Sequence, residues 1–160
     1  MQKIVVEWLL FLVGLLVTLG LPWLVWRRLR AGRPSETPRP IVDDGSGGKV
    51  IPLIAAFRGV RSLSWIGVAN NNLNPMLVIT PIGITYRVMG RRMRVWSDIK
   101  QVDVLTLGAT VNLRFDFHGS LFTFDANLGS TILATRALAL LERHVAMTDR
   151  ARALLPVGPD

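Results

Sequence analysis

Residues 4–26 form an apolar run of 23 residues whose only ionisable member is Glu7, and nothing else in this 160-residue chain constrains its folding as strongly. At about 1.5 Å of rise per residue, a helix of that length exceeds the roughly 30 Å hydrocarbon core of a bilayer. The run therefore predicts a membrane-spanning helix with some tilt. Trp8 lies near one end and Trp23 and Trp26 near the other, where aromatic rings anchor a helix in the two headgroup layers. Pro22 falls in the last turn, where interfacial water can replace the backbone bond it removes. Glu7 sits one turn from the start and can snorkel to the interface or pair with a cation of a neighbouring helix.

Arg27, Arg28, Arg30 and Arg33 follow the run directly, whereas only Lys3 precedes it. The positive-inside bias thus predicts a single pass of the inner (plasma) membrane, with the N-terminus outside and the C-terminal part cytoplasmic. A cleaved signal peptide is the competing reading. The run is too long for one, carries no small-x-small cleavage site, and ends in arginines that act as a stop-transfer signal. Gly14 and Gly20 are too far apart to make a GxxxG pairing motif.

The rest of the composition agrees with a membrane protein that has a cytoplasmic part. Half of the residues are hydrophobic and 19% are charged, yet the net charge is +8, and the mean hydropathy is +0.38. Residues 1–40 hold six Lys+Arg and two Asp+Glu, and residues 41–160 hold thirteen and nine, so each part carries +4. No cysteine is present, which excludes thiolate nucleophiles, Cys-ligated zinc, iron–sulfur clusters and disulfides. The two histidines, His118 and His144, have no ligand-spaced neighbours, and neither a phosphate-binding glycine loop nor a nucleophile elbow occurs. The reading is a non-catalytic binding or structural protein that takes no cofactor and no metal.

From residue 27 to 49 the chain is basic, then Pro-rich at Pro34, Pro38 and Pro40, then Gly-rich, which makes a tether. Residues 50–57 are apolar but too short to span, and their pattern suits a short helix, a strand or an interfacial segment. Period-2 alternation then predicts strands over residues 64–68, 76–80, 84–89, 92–96, 99–107, 111–118 and 121–125. In the cleanest of these, Val111, Leu113, Phe115 and Phe117 make a core face and Asn112, Arg114, Asp116 and His118 a wet one. Asp116 and Asp125 fall on facing strands of one hairpin, and a wet face accounts for both. Residues 131–147 switch to helical period with Leu133, Ala137, Leu140, Leu141, His144 and Val145 on one stripe, behind Ser130 as N-cap. The chain beyond Ala153 is predicted to fray.

Two stretches carry a resemblance. Asn74-Pro75-Met76-Leu77-Val78-Ile79-Thr80-Pro81-Ile82-Gly83-Ile84-Thr85-Tyr86-Arg87 and Arg94-Val95-Trp96-Ser97-Asp98-Ile99-Lys100-Gln101-Val102 resemble the bacterial pleckstrin-homology-like (PH-like) domains. There a strand ending "LTPEGL" leads to a "WSEI" or "WSDI" corner, and a helix closes the domain. Pro81-Ile82-Gly83 departs from the usual acidic residue before the glycine. The resemblance implies an α+β fold: an antiparallel β-barrel or bent sheet of six or seven strands, closed by a C-terminal helix. Residues 1–26 are then the transmembrane anchor, 27–49 the linker, 50–148 the PH-like domain and 149–160 a tail. Trp96 and Ile99 bracket polar Ser97 and Asp98, whose side chains can bond free backbone N–H groups at the corner.

One cluster suggests a binding role. Arg87, Arg91, Arg92 and Arg94 lie on one hairpin with Lys100 nearby, a patch suited to anionic lipid headgroups or an acidic protein surface. The same charges can equally keep a sheet edge from pairing. No helix-turn-helix pattern supports nucleic acid as a partner. The expected function is a membrane-anchored interaction or scaffold module, with the lipid bilayer and another membrane protein as partners. The alternative is a small single-pass accessory subunit of a larger respiratory, photosynthetic or transport complex.

Overall fold

Ten strands, two helices and one 3-10 turn form in the computed structural model of the chain, which describes residues 40–61, 63–71, 74–107 and 110–156. The strands are β1 (Val42–Asp43), β2 (Lys49–Ile51), β3 (Ala55–Val60), β4 (Leu63–Asn71), β5 (Met76–Thr80), β6 (Gly83–Arg87), β7 (Arg91–Val95), β8 (Ile99–Leu107), β9 (Thr110–Phe117) and β10 (Phe122–Asn127). The helices are α1 (Thr131–Leu141) and α2 (Asp149–Arg152). Two five-stranded antiparallel sheets result, ordered β1-β2-β5-β6-β7 and β4-β3-β10-β9-β8. The span expected at 4–26, its flanking Trp8, Trp23, Trp26, Arg27, Arg28 and Arg30, and the linker up to residue 39 lie outside the described residues. No helix among the described residues is long and apolar enough to cross a membrane.

The first hairpin belongs to both sheets. Its outer arm leaves the first sheet after β2 and enters the second at β3, across Pro52, which has no N–H to give a ladder. Its inner arm makes the same transfer, because β2 pairs with β5 while β3 pairs with β4. Residues 50–57, which periodicity leaves open, are therefore strand on both sides of a bend. This bend raises the strand count above the six or seven expected, since each long arm is broken in two.

The sheets do not close into a barrel. β7 and β8 end their sheets and are joined only by the 3-10 turn Trp96–Asp98. This turn is the predicted corner, but its polar side chains do not hold it: no side chain caps the turn, and Asp98 instead lies 3.6 Å from Arg94. Trp96 holds it, donating from its indole Nε1 to the Pro81 carbonyl at 2.9 Å and from its backbone N–H to Ile82 at 3.2 Å. His144 stacks on Trp96 with ring centroids 4.5 Å apart, which ties the chain after α1 to the corner.

Between the sheets lies one apolar cluster that includes Leu77, Ile84, Phe115 and Phe124, and α1 adds Leu133, Ala134, Ala137, Leu138 and Leu141. Full burial of each large side chain contributes about 1.5–3 kcal/mol. Ser130 stands at the N-cap of α1 in extended conformation, though its side chain makes no capping bond. The helix stops at Leu141, short of the predicted 147, and leaves His144 exposed. The following chain turns back to the edge of β8, where Val102 donates to Ala146 and accepts from Thr148. The last described residues also pack: Ala151 is buried, and Leu154 and Leu155 lie against the core.

Candidate functional site

Three hairpin turns meet at one end of the two sheets. The turn after β3 is tied to the turn after β9 by a bond from the Arg61 N–H to the Leu121 carbonyl at 2.9 Å. The turn after β6 stands across from the turn after β9, and Met89 and Gly90 of one face Ser120 and Phe122 of the other over a shared cleft. Local chemistry explains the turn after β9. Gly119 has φ +63°, a left-handed conformation that a Cβ disfavours. Ser120 Oγ accepts from the Phe122 N–H at 3.0 Å, which fixes the return into β10.

The cleft is the open mouth of the sandwich. Its floor is aromatic: Tyr86 stacks on Phe117 at 5.8 Å and on Phe124 at 4.3 Å between ring centroids. Its walls are cationic, with Arg58 of β3 and Arg92 and Arg94 of β7, and no carboxylate lines it. The Arg58 guanidinium lies 3.8 Å over the Phe122 ring, and that of Arg94 lies 5.2 Å from the Phe117 ring. Such contacts stabilise a cation by about 0.5–2 kcal/mol and hold it in place without neutralising it. Met89 at the rim is 83% exposed, and Leu121, between the lining residues Ser120 and Phe122, is 75% exposed. With a volume of about 60 Å³ the cleft admits one small charged group and a few waters; it cannot engulf a nucleotide-sized cofactor.

The patch expected from the sequence is divided by the pleat. Arg92 pairs across the ladder with Tyr86 and Arg94 with Ile84, so these two share the face of the buried Tyr86 and Ile84 and reach the cleft. Arg87 and Arg91 are each other's partners on the opposite face. Lys100 is exposed in a bulge of β8 between Ile99 and Gln101 and does not line the cleft. Arg58, Met89, Leu121 and Phe122 were not singled out by sequence. The signal available was apolar side chains beside Gly90 and Gly119, where turns are ordinarily polar.

The face of β9 expected to be wet is covered. Asn112, Arg114 and Asp116 are each 6% exposed, because their side chains lie along the sheet and engage one another's neighbours. Arg114 forks onto Asp125 with bonds of 2.8 and 2.7 Å, and this pairing raises the guanidinium above its ordinary value. Asp116 accepts instead from Gln101 at 2.9 Å, with Arg61 at 4.0 Å. The two aspartates thus serve separate partners and form no acid/base pair. Asp103, on the same face, takes Thr148 at 2.6 Å and Arg150. His118 is exposed at the β9–β10 turn, and no group of three or more His, Asp or Glu suited to a metal occurs among the described residues.

No family model, curated protein or solved structure matches this chain.

Proposed function

We infer that the chain is a single-pass inner-membrane protein whose cytoplasmic PH-like domain is a non-catalytic interaction module, docking its three-turn end on the anionic headgroups of the bilayer that holds it. The observation that carries this reading is the cleft itself: three arginines, no carboxylate and exposed Met89 at its rim, with Leu121 exposed on the adjoining β9–β10 turn. Cations flanked by exposed apolar tips suit a membrane interface, where the charges meet phosphate and the tips enter the acyl boundary.

The order of elements supports the PH-like reading: β5 to β7 lead into the tryptophan corner, and α1 follows the last strand. The anchor reading rests on residues 4–26 and the arginines behind them. A domain tethered directly behind such a span meets headgroups at high effective concentration.

A fragment from residue 40 onward contains the whole described core and removes the anchor from the assay. It is expected to float with vesicles that contain an anionic phospholipid and to stay behind with purely zwitterionic ones. Each arginine near the surface contributes about 1 kcal/mol, so Arg58→Ala or Arg92→Ala lowers the partition about fivefold. Equal partition of wild type and both variants removes the reading.

A further inference from the structure

A second surface lies on the other side of the same hairpin, along the free edge of the first sheet. The bond from the Trp96 N–H to the Ile82 carbonyl marks those two residues as a bonded pair. Bonded and non-bonded pairs alternate along an antiparallel ladder, so Ile84–Arg94 and Tyr86–Arg92 are bonded as well. The N–H and C=O groups of Arg91 and Met93, and the N–H of Val95, therefore point away from β6, toward the open edge. β7 is exposed except at half-buried Arg94, with Met93 at 48% and Val95 at 41%. β8, the facing edge of the other sheet, is already covered at Val102 by Ala146 and Thr148.

Charge selects what the β7 edge can accept. Arg87 and Arg91 stand directly opposite each other, in a non-bonded pair where side chains are closest, and like charges so placed destabilise the ladder. Among the described residues, Arg87, Arg91 and Arg92 form no ion pair. A second copy of β7 would bring five residues with three arginines against the same sequence, and repulsion excludes it. An acidic strand removes both penalties at once.

We propose that β7 binds an acidic, extended peptide segment of a partner protein by adding it to the sheet as an antiparallel strand. Main-chain bonds to Arg91, Met93 and Val95 supply affinity, and alternate side chains supply specificity. The register follows from the exposed side chains. Opposite Val95, Arg94, Met93, Arg92 and Arg91 the peptide carries, from its N-terminus, an apolar residue, an acid, an apolar residue and two acids. The last acid sits beside Arg91 and Arg87, and the two others sit beside Arg92 and Arg94.

The test uses the full chain in a non-ionic detergent and the acetylated, amidated peptide Thr-Val-Glu-Val-Glu-Glu-Thr, followed by fluorescence anisotropy of a terminal dye. Binding is expected to fall at least tenfold when the second valine, opposite Met93, carries an N-methyl group. It is expected to change less than twofold when the following glutamate, opposite Arg92, is methylated, because that N–H faces away from β7. In the protein, Arg91→Glu abolishes binding while Lys100→Glu, an equal change of net charge on β8, leaves it within twofold. Equal effects of the two methyl groups, equal effects of the two protein variants, or no binding at millimolar peptide would each overturn the proposal.

Discussion

Removing Arg114 alone is expected to damage the domain far more than removing its salt bridge as a unit. The Arg114 and Asp125 side chains are 7% and 13% exposed and share two hydrogen bonds, so each is the main compensation for the other's desolvation. Breaking one partner of a buried pair costs about 3–5 kcal/mol, because it strands the remaining charge. Asp125 keeps slight solvent access, which places Arg114→Met near the lower end, at about 3 kcal/mol. An unfolding entropy of about 2.1 cal/mol/K per residue over roughly 117 residues gives about 4 °C per kcal/mol, hence a fall in Tm of about 12 °C. Asp125→Met removes the carboxylate onto which the guanidinium forks and is destabilising as well. The double variant removes both charges together, so its loss is well below the sum of the two single losses. Thermal unfolding of the four proteins, followed by circular dichroism, measures the coupling. Additive losses, with a coupling below about 1 kcal/mol, would refute the view that this buried polar face is held by mutual neutralisation.

Other outcomes follow from single positions. Gly83→Ala is expected to cost about 3 kcal/mol or more in chemical denaturation, since the added Cβ would fall 2.0 Å from the Arg94 carbonyl oxygen in the β6–β7 ladder; a loss below 1 kcal/mol contradicts that packing. Asp44 accepts from the N–H groups of Ser46 and Gly48 and from the Ser46 hydroxyl, which lowers its carboxyl below the ordinary 3.8. Its folded value is depressed, so its contribution to stability is complete above the unfolded value and is lost as pH falls through the folded one. An NMR titration placing Asp44 at or above 3.8 would contradict the loop geometry. Trp96→Phe keeps a ring against His144 but loses the bond to Pro81, and a loss of about 1 kcal/mol is expected; an unchanged midpoint would show that the indole bond does not hold the corner.

What sequence could and could not reveal follows from the range over which each signal acts. Alternation is local, and it located Val111, Leu113, Phe115 and Phe117 on a buried face and Met76 to Thr80 in a strand, as they are. It could not show that Asn112, Arg114 and Asp116 are buried too, because their partners, Asp125 and Gln101, come from neighbouring strands. The bend at Pro52 was hidden in a segment too short to display a period. The arginines of β6 and β7 were legible as a cluster, but the pleat sends Arg92 and Arg94 to one face and Arg87 and Arg91 to the other. The cleft was the least legible feature. Its members come from β3 and from the β6–β7 and β9–β10 hairpins, separated by tens of residues, and only the fold brings Arg58, Met89 and Phe122 to one mouth.

The central claim is that the three-turn end meets an anionic bilayer. Flotation of the fragment from residue 40 with vesicles that differ only in anionic phospholipid content tests it most directly, with Met89→Ser/Leu121→Ser and Arg58→Ala/Arg92→Ala as paired variants. Binding that requires the anionic lipid, weakens with salt and falls in both variants is the predicted result. Binding that is indifferent to lipid charge and unchanged in both variants would contradict it.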